Sequence, residues 1–187
     1  VSQQISLAGK EASGTSNMKL MSNGALTVAT LDGANVEINQ LVGDENMFLF
    51  GLNADEVNEL RPNYNPHELY QNNKLIHKVM NALIDGTIPG VESEVRAIFD
   101  SLVHYGDEYF VLEDFTSYVE AHQAVDELYA DQKAWNQMAL LNIAESGPFS
   151  ADFTIKQYAD EIWHVPSYSK PGEGVELVDR ESILETR

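Results

Sequence analysis

The fold class is decided by two apolar runs, residues 25–31, Ala-Leu-Thr-Val-Ala-Thr-Leu, and residues 47–51, Met-Phe-Leu-Phe-Gly. Both runs are short and contain β-branched or aromatic side chains, which is typical of strands buried in a parallel sheet. The pattern also predicts a short helix before them, at residues 18–21, and another between them, at residues 35–41. Helix, strand, helix and strand within fifty residues predict an α/β fold.

From residue 54 onward the pattern becomes helical. Apolar residues at helical spacing predict a series of helices over residues 54–60, 66–71, 75–84, 94–104, 114–129, 132–145 and 150–163. We therefore divide the chain into an α/β portion, a helical remainder of the same domain and a weakly ordered tail, at residues 1–53, 54–165 and 166–187. Because two strands do not make a stable parallel sheet, we expect further strands from residues before Val1 and interpret the chain as the C-terminal part of a larger domain.

The composition excludes several classes of protein. The 187 residues include 30 acidic and 11 basic side chains, a formal net charge of -19, which disfavours binding to nucleic acid or to an anionic membrane. The chain has no cysteine, which removes disulfides and thiolate metal sites. With 43% hydrophobic residues, no run long enough to span a bilayer and no signal peptide, we expect a soluble, cytoplasmic protein.

The charge is unevenly distributed along the chain. Residues 1–31 contain two lysines and one glutamate, a local charge of +1, whereas residues 32–187 contain nine basic and 29 acidic side chains, a charge of −20. An anionic ligand is repelled by most of such a surface. We therefore expect any phosphate or carboxylate to bind near the N-terminal end.

A Gly/Ser/Thr-rich loop leads into the first predicted helix. Its residues Ser13, Thr15 and Ser16 are candidates for the helix N-cap, and Gly14 allows a ligand to approach the backbone. The N–H groups at such a helix start can bind a phosphate, next to which Lys19 would serve as a charge clamp or bind pyridoxal phosphate covalently. The spacing does not match the nucleotide P-loop, which favours the aldehyde cofactor. A serine-rich helix cap followed by a surface lysine explains the same pattern.

A close resemblance to the glycogen, starch and maltodextrin (α-glucan) phosphorylases covers this segment. It includes residues 11–37, Glu-Ala-Ser-Gly-Thr-Ser-Asn-Met-Lys-Leu-Met-Ser-Asn-Gly-Ala-Leu-Thr-Val-Ala-Thr-Leu-Asp-Gly-Ala-Asn-Val-Glu, which are similar to the family's pyridoxal-phosphate attachment region. Residues 46–51, 142–147 and 154–163 resemble the family's closing segments, so that the resemblance extends over roughly residues 1–165.

The resemblance implies both a fold and an activity. The fold is the latter part of a Rossmann-like C-terminal domain in a glycosyltransferase-B arrangement, with the active site between two domains. The activity is phosphorolysis of α-1,4-glucans by inorganic phosphate, which releases glucose 1-phosphate with retention at the anomeric carbon. Family members are usually homodimeric, allosteric enzymes of glycogen degradation, whose dimer contacts and regulatory sites lie mainly outside this stretch.

The resemblance also implies residue roles at the cofactor. Lys19 matches the lysine that forms a Schiff base with pyridoxal phosphate, and the cofactor's phosphate is the general acid and base, so no side chain of this chain is assigned the catalytic step. The backbone of Thr15 and Ser16 would hold that phosphate, with Gly14 giving clearance. Ser16 stands where most relatives have glycine, a replacement that requires a negative φ.

The same comparison implies a glucosyl pocket. Glu11, Ala12, Ser13 and Gly14 match the residues that line it, and Glu11 would accept hydrogen bonds from sugar hydroxyls. Only Lys10 and Lys19 are basic in this segment, too few to hold two phosphates. We therefore predict that the chain alone has no phosphorylase activity.

Other chemically suggestive residues are interpreted as structural. The histidines lack metal-ligand spacing, and the acidic pairs at residues 44–45, 107–108 and 113–114 are predicted to be solvated, because adjacent carboxylates do not face each other across a sugar. Trp135 and Trp163 are expected in the core. Residues 32–35 follow a strand, where they either approach the active cleft or form a turn and helix cap.

Two alternatives remain at this stage. One is a non-catalytic remnant that retains the fold and binds glucan or a full-length partner. The other is a pyridoxal-phosphate enzyme of amino-acid metabolism, which the sequence disfavours because Arg61 and Arg96 are isolated and no acid is placed for the pyridine nitrogen.

Overall fold

The computed structural model describes residues 1–11, 14–89 and 92–165. The tail predicted at residues 166–187 lies outside the described residues, as do Ala12 and Ser13. The described part of the chain is an α/β structure with a small parallel sheet and a majority of helix, as the sequence predicts.

The sheet has three parallel strands in the order β1-β2-β3. They are β1 (Ser2–Gln4), β2 (Thr27–Ala29) and β3 (Phe48–Leu49). The two predicted strands are confirmed in a shortened form, but the expectation of only two strands is wrong. The sequence of β1, Ser-Gln-Gln, has no apolar alternation, and it forms a strand because β2 offers an edge with which to pair.

Most of the helices are confirmed close to their predicted limits. They are α1 (Ser16–Ser22), α2 (Ala34–Val42), α3 (Ala54–Leu60), α4 (Pro66–Asn72), α5 (Lys74–Ala82), α6 (Glu92–Val103), α7 (Val111–Ala130), α8 (Gln132–Glu145) and α9 (Ala151–Gln157). Three 3-10 turns lie at Asp44–Asn46, Arg61–Asn63 and Gly147–Phe149, and α9 continues as a π-helix over Tyr158–Trp163.

The central strand β2 separates two apolar cores. Successive residues of a strand point to opposite faces of the sheet. Val28 accordingly belongs to a cluster that includes Ala121 and Val125 of α7, whereas Ala29 belongs to a cluster that includes Met21 of α1 and Ile38 of α2. Helices therefore cover both faces of the strand, which is why all three residues of β2 are fully buried.

A third core consists of helices alone. It contains Tyr70, Ile76, Met80, Phe99, Val103 and Leu112, contributed by α4, α5, α6 and α7. Further along the chain, Trp135 packs against the sheet core as predicted. The same prediction is wrong for Trp163, which is 55% exposed in the π-helix, because the ring that it contacts edge-on, Tyr158, is itself exposed.

Candidate functional site

The predicted site residues lie at the carboxyl edge of the sheet. β1 ends at Gln4 and leads through Lys10 and Glu11 to α1, while β2 ends at Ala29 and leads to Asp32. Because parallel strands end at the same edge, these two connections meet. Open α/β sheets bind ligands at this edge, so the fold places the loop where binding is expected.

Asp32 holds the loop that follows β1. Its Oδ2 accepts hydrogen bonds from the N–H groups of Lys10, at 3.2 Å, and Glu11, at 2.8 Å. The side chains of Lys10 and Glu11 are exposed. The two interpretations given for residues 32–35 are compatible, because Gly33 is the N-cap of α2 while Asp32 contacts the loop that contains the predicted site. Asp32 also brings a second carboxylate to a segment whose own charge is +1.

The N-cap residue of α1 makes no capping hydrogen bond. Thr15 occupies the N-cap position with a φ of −135°, but its hydroxyl makes no capping hydrogen bond. The first N–H groups of a helix have no intrahelical acceptor. One of them, at Met18, is satisfied by Asn17 Oδ1 at 2.9 Å. For the other N–H groups of this turn no acceptor is found among the described residues, and N–H groups at a helix start can bind an anion.

The backbone around this turn has the conformation that the predicted role requires. Gly14 has a φ of +75°, and a Cβ placed there would meet only Asn17, at 3.5 Å, which is an ordinary contact. Its left-handed conformation explains the glycine. Ser16 is the first residue of α1 and is not among the non-glycine residues with positive φ, so it meets the condition set for its replacement of glycine.

Lys19 lies one turn into α1, on the same face as Thr15. Its side chain is exposed, and its amine forms no ion pair with any residue that the structure describes. The structure thus brings Lys19, Gly14, Thr15 and Ser16 into one loop–helix segment, with Glu11 at its start. The other two residues predicted for the glucosyl pocket, Ala12 and Ser13, lie outside the described residues.

A buried pair of asparagines beneath this segment was missed by sequence reasoning. Asn17 in α1 is 3% exposed and Asn35 in α2 is 2% exposed. Asn17 Nδ2 donates to Asn35 Oδ1 at 2.9 Å, and Asn35 Nδ2 donates to the carbonyl of Thr30 at 3.1 Å. Both residues lie at helix starts, where asparagine usually signals an exposed cap, so local sequence contained no sign of their burial.

Two acids in the helical part contradict the prediction that the acidic pairs are solvated. Asp107 is 1% exposed and Asp114 is 8% exposed. Asp107 accepts hydrogen bonds from Tyr64 Oη at 2.7 Å, Val111 N at 3.0 Å and Leu112 N at 2.8 Å. Asp107 thus takes the role of an N-cap side chain at the start of α7. The N-cap residue itself, Phe110, makes no capping side-chain hydrogen bond and has a φ of +55°.

Asp114 connects the residues that follow β3 to α7 by a hydrogen bond. Its Oδ1 accepts the N–H of Leu52 at 2.9 Å, while Ser117 Oγ accepts the N–H of Gly51 at 2.9 Å. Burial raises the pKa of Asp114 to about 6, against the opposing effect of the Leu52 hydrogen bond. Its carboxyl lines a mainly apolar cleft of about 370 Å³ with Ile5, Leu7, Phe50, Tyr109 and Tyr118.

Neither a metal centre nor a membrane span is found in the described part of the chain. Residues 1–11, 14–89 and 92–165 contain no group of three or more His, Asp or Glu side chains arranged to hold a metal ion. None of the helices described over these ranges is long and apolar enough to cross a bilayer.

Comparisons with known proteins agree on one family. Residues 1–165 match the family model for carbohydrate phosphorylases. The glycogen phosphorylase of Bacillus subtilis (strain 168) is 48% identical over 167 residues, which are 88% of this chain and 21% of that protein. The enzyme of Chlamydia pneumoniae is 43% identical over 175 residues, 93% of this chain and 21% of that protein.

A vertebrate relative shows similar identity and coverage. The liver form of human glycogen phosphorylase is 43% identical over 166 residues, which are 88% of this chain and 20% of that protein. The chain thus spans about a fifth of the length of the relatives it matches.

Proposed function

The chain belongs to the carbohydrate phosphorylase family, and from this premise we propose that it is the cofactor-binding part of an α-1,4-glucan phosphorylase. The cofactor would be pyridoxal phosphate, joined covalently to Lys19. The substrates of the whole enzyme would be an α-1,4-glucan, such as glycogen or maltodextrin, and inorganic phosphate. The observation that best supports the proposal is the start of α1, whose N-cap residue makes no capping hydrogen bond, together with a lysine amine one turn further on that pairs with no described residue.

The residues of this segment fit a group that has both an aldehyde and a phosphate. The N–H groups at Thr15 and Ser16, at the start of α1, would hold the phosphate, and the absence of a side chain at Gly14 would let it approach the backbone. The Lys19 amine lies on the same helical face and is free to bond to the aldehyde carbon. When bound, the cofactor supplies a phosphate whose second pKa, near 6, suits proton exchange with the substrate phosphate.

The sugar would bind at the start of the same segment. Asp32 fixes the backbone of Lys10 and Glu11, so that the exposed Glu11 carboxylate is available to accept hydrogen bonds from sugar hydroxyls. The proposed pocket is completed by Ala12, Ser13 and Gly14. A carboxylate held through its own backbone keeps its orientation when the ligand leaves, which favours sugar recognition.

The larger architecture belongs to the same proposal. We place the chain in the latter part of a Rossmann-like C-terminal domain of a glycosyltransferase-B fold, with residues 1–53 as its cofactor-bearing portion and 54–165 as its helical remainder. The enzyme would be a cytoplasmic homodimer. Its remaining groups would come from the four-fifths of the relatives' length that this chain does not match.

Covalent capture tests the cofactor assignment. The chain is incubated with pyridoxal phosphate, reduced with borohydride and digested for peptide mapping by mass spectrometry. We expect a pyridoxyl group on Lys19 and none in a Lys19→Arg variant, while Lys74→Arg, which changes an exposed lysine of α5, leaves the modification unchanged. Modification spread evenly over the exposed lysines would contradict the assignment.

An activity assay tests whether the chain alone suffices. Two cations, Lys10 and Lys19, share this edge of the sheet with two carboxylates, Glu11 and Asp32, so the local charge is too low to hold a substrate phosphate beside a cofactor phosphate. We expect no glucose 1-phosphate from glucan, phosphate and pyridoxal phosphate. Release at the rate of a complete phosphorylase would overturn this expectation.

A further inference from the structure

The helix that bears Lys19 is tied to the sheet by polar side chains as well as by apolar packing. Asn17, two residues before Lys19, donates to Asn35 of α2, and Asn35 donates to the carbonyl of Thr30 at the end of β2. The Thr30 hydroxyl in turn lies 3.1 Å from the hydroxyl of Ser6, which follows β1. One series of hydrogen bonds therefore joins α1, α2 and the carboxyl ends of two strands.

This series of hydrogen bonds restricts the movement of α1 more than apolar contacts do. Met21 and Ile38 belong to the neighbouring apolar core, and contacts of this kind have no preferred direction. A hydrogen bond between two buried amides demands both a distance and an angle, and breaking it leaves buried donors and acceptors without partners. The asparagine pair therefore defines the register of α1 against α2 and the sheet.

The same pair acts directly on the proposed phosphate-binding turn. The Oδ1 of Asn17 accepts the N–H of Met18, which leaves its Nδ2 to bind Asn35. Because one side chain makes both bonds, the first turn of α1 and the contact with α2 have a common anchor. The N-cap residue, Thr15, makes no side-chain hydrogen bond to this turn.

We propose that Asn17 and Asn35 are positioning residues that hold the first turn of α1 and the Lys19 amine in the arrangement that an aldehyde–phosphate ligand requires. The inference rests on the proposed function. It predicts that loss of the pair weakens the benefit that the ligand's phosphate brings to reaction at Lys19, while the intrinsic reactivity of the exposed amine is retained.

The test compares pyridoxal phosphate with pyridoxal, which lacks the phosphate. For each variant, the initial rate of adduct formation at Lys19 is measured with both aldehydes after borohydride trapping, at a temperature at which circular dichroism shows the chain to be folded. The readout is the ratio of the two rates. A residue that only stabilises the fold lowers the melting temperature and leaves this ratio unchanged.

Three variants and a control define the outcome. We expect Asn17→Ala and Asn35→Ala each to lower the ratio by about tenfold, the size of effect expected from one lost hydrogen bond between buried groups. The ratio of the double variant should be no lower than the lower of the two single-variant ratios, because both substitutions remove the same hydrogen bond between Asn17 and Asn35. The control is Asn39→Ala. Asn39 lies in α2, as Asn35 does, but its amide donates to Asp44. The ratio of this variant should equal that of the wild type.

A further variant covers the case in which the alanine variants do not fold. Asn17→Ser retains an oxygen that can accept the Met18 N–H but has no amide to donate to Asn35, so the turn keeps its internal bond. We expect its ratio to fall in the same way. Ratios within twofold of the wild type in the folded variants would overturn the inference, whereas absence of any Lys19 adduct in the wild type would overturn the proposed function instead.

Discussion

The two parts of the molecule bury different kinds of polar group. In residues 1–53, the described buried polar side chains are all neutral, namely Ser2, Asn17, Thr27, Thr30 and Asn35. In residues 54–165, they include two carboxyls, Asp107 and Asp114. The charged side chains of the proposed site, Lys19 and Glu11, are exposed in the first part.

This difference shows that residue type alone does not locate the chemistry. Buried acids often mark functional sites, yet both carboxyls of the helical part bind N–H groups of the protein itself. They stabilise the start of α7 and its junction with β3. The first part has no buried charge, but it offers backbone donors and a lysine amine that no described residue satisfies, and these are the groups that a ligand can bind.

The largest effect is expected from Asp107→Ala. The substitution leaves the hydroxyl of Tyr64 and the N–H groups of Val111 and Leu112 without their acceptor in a buried site. We expect the free energy of unfolding to fall by about 3–4 kcal/mol, measured by urea denaturation. Capture of pyridoxal phosphate at Lys19 should remain at a temperature at which the variant is folded.

The matched control for this substitution is Glu108→Ala. Glu108 is the neighbouring acid and is exposed, so its removal should change the free energy of unfolding by less than about 0.5 kcal/mol. Equal effects of the two substitutions would remove the distinction between a buried structural acid and a solvated one.

Two glycines of the first part provide an intermediate effect, because one lies at the proposed site and the other lies against Asp114 of the second part. Gly14 and Gly51 both have φ near +75°, at +75° and +76°, but a Cβ at Gly51 would lie 2.8 Å from Asp114 Oδ2 and 3.0 Å from Thr30 Cγ2. We expect Gly51→Ala to destabilise the chain by about 2–3 kcal/mol and Gly14→Ala by about 1 kcal/mol, both measured by urea denaturation.

Capture of pyridoxal phosphate at Lys19 should be affected in the opposite order, more by Gly14→Ala than by Gly51→Ala. A methyl group at Gly14 would contact Asn17 in the first turn of α1, where the cofactor phosphate is proposed to bind, whereas Gly51 lies outside this turn. Gly14→Ala is therefore expected to reduce pyridoxal-phosphate capture at Lys19, with little change for folded Gly51→Ala. A larger loss of capture at Gly51 would place the ligand near the junction of β3 and α7 instead.

The smallest effect is a dependence on pH at Asp114. Burial raises its pKa from the ordinary value of 3.8 to about 6, so the folded chain holds this proton more tightly than the unfolded chain. The contribution of the carboxyl to stability is present below about pH 4 and is lost as the pH rises to about 6. Asp114→Asn keeps an oxygen that can accept the Leu52 N–H and removes the titration.

The stability of Asp114→Asn relative to wild type should therefore rise between pH 4.5 and pH 7.5, by about 1–2 kcal/mol because the carboxyl retains some contact with solvent in the cleft. Thermal unfolding at both pH values measures the change. The control, Asp126→Asn, alters an exposed acid of the same helix. A difference that stays constant or falls with pH would contradict the assigned direction of the pKa.

Local patterns predicted the regular elements well. The limits of α3 and α8 match to the residue, since both have clear caps: Asn53 accepts from Asp55 and Glu56, and Asp131 accepts from Lys133 and Ala134. Strands β2 and β3 were visible because each is an apolar run between polar turns. Strand β1 was invisible, because its polar sequence forms a strand only by pairing with β2.

In the candidate site, too, the sequence predicted the residues that are close together along the chain and missed those that meet only in the folded structure. Lys19, Gly14, Thr15 and Ser16 lie within six residues, so sequence spacing and the family resemblance were enough to group them. Asp32 and Asn35 meet the same segment across gaps of 21 and 18 residues, through contacts that exist only once the sheet has formed. The burial of Asp107 likewise depends on Tyr64, 43 residues earlier in the chain.

Backbone amide shifts would test the contrast between the two parts most directly. A uniformly ¹⁵N-labelled chain is titrated with pyridoxal phosphate and followed by ¹H–¹⁵N correlation spectra. The account predicts that the largest shift changes occur at residues 14–19, with the amides of residues 107–118 nearly unchanged. Largest changes at residues 107–118, around the cleft beside Asp114, would contradict it.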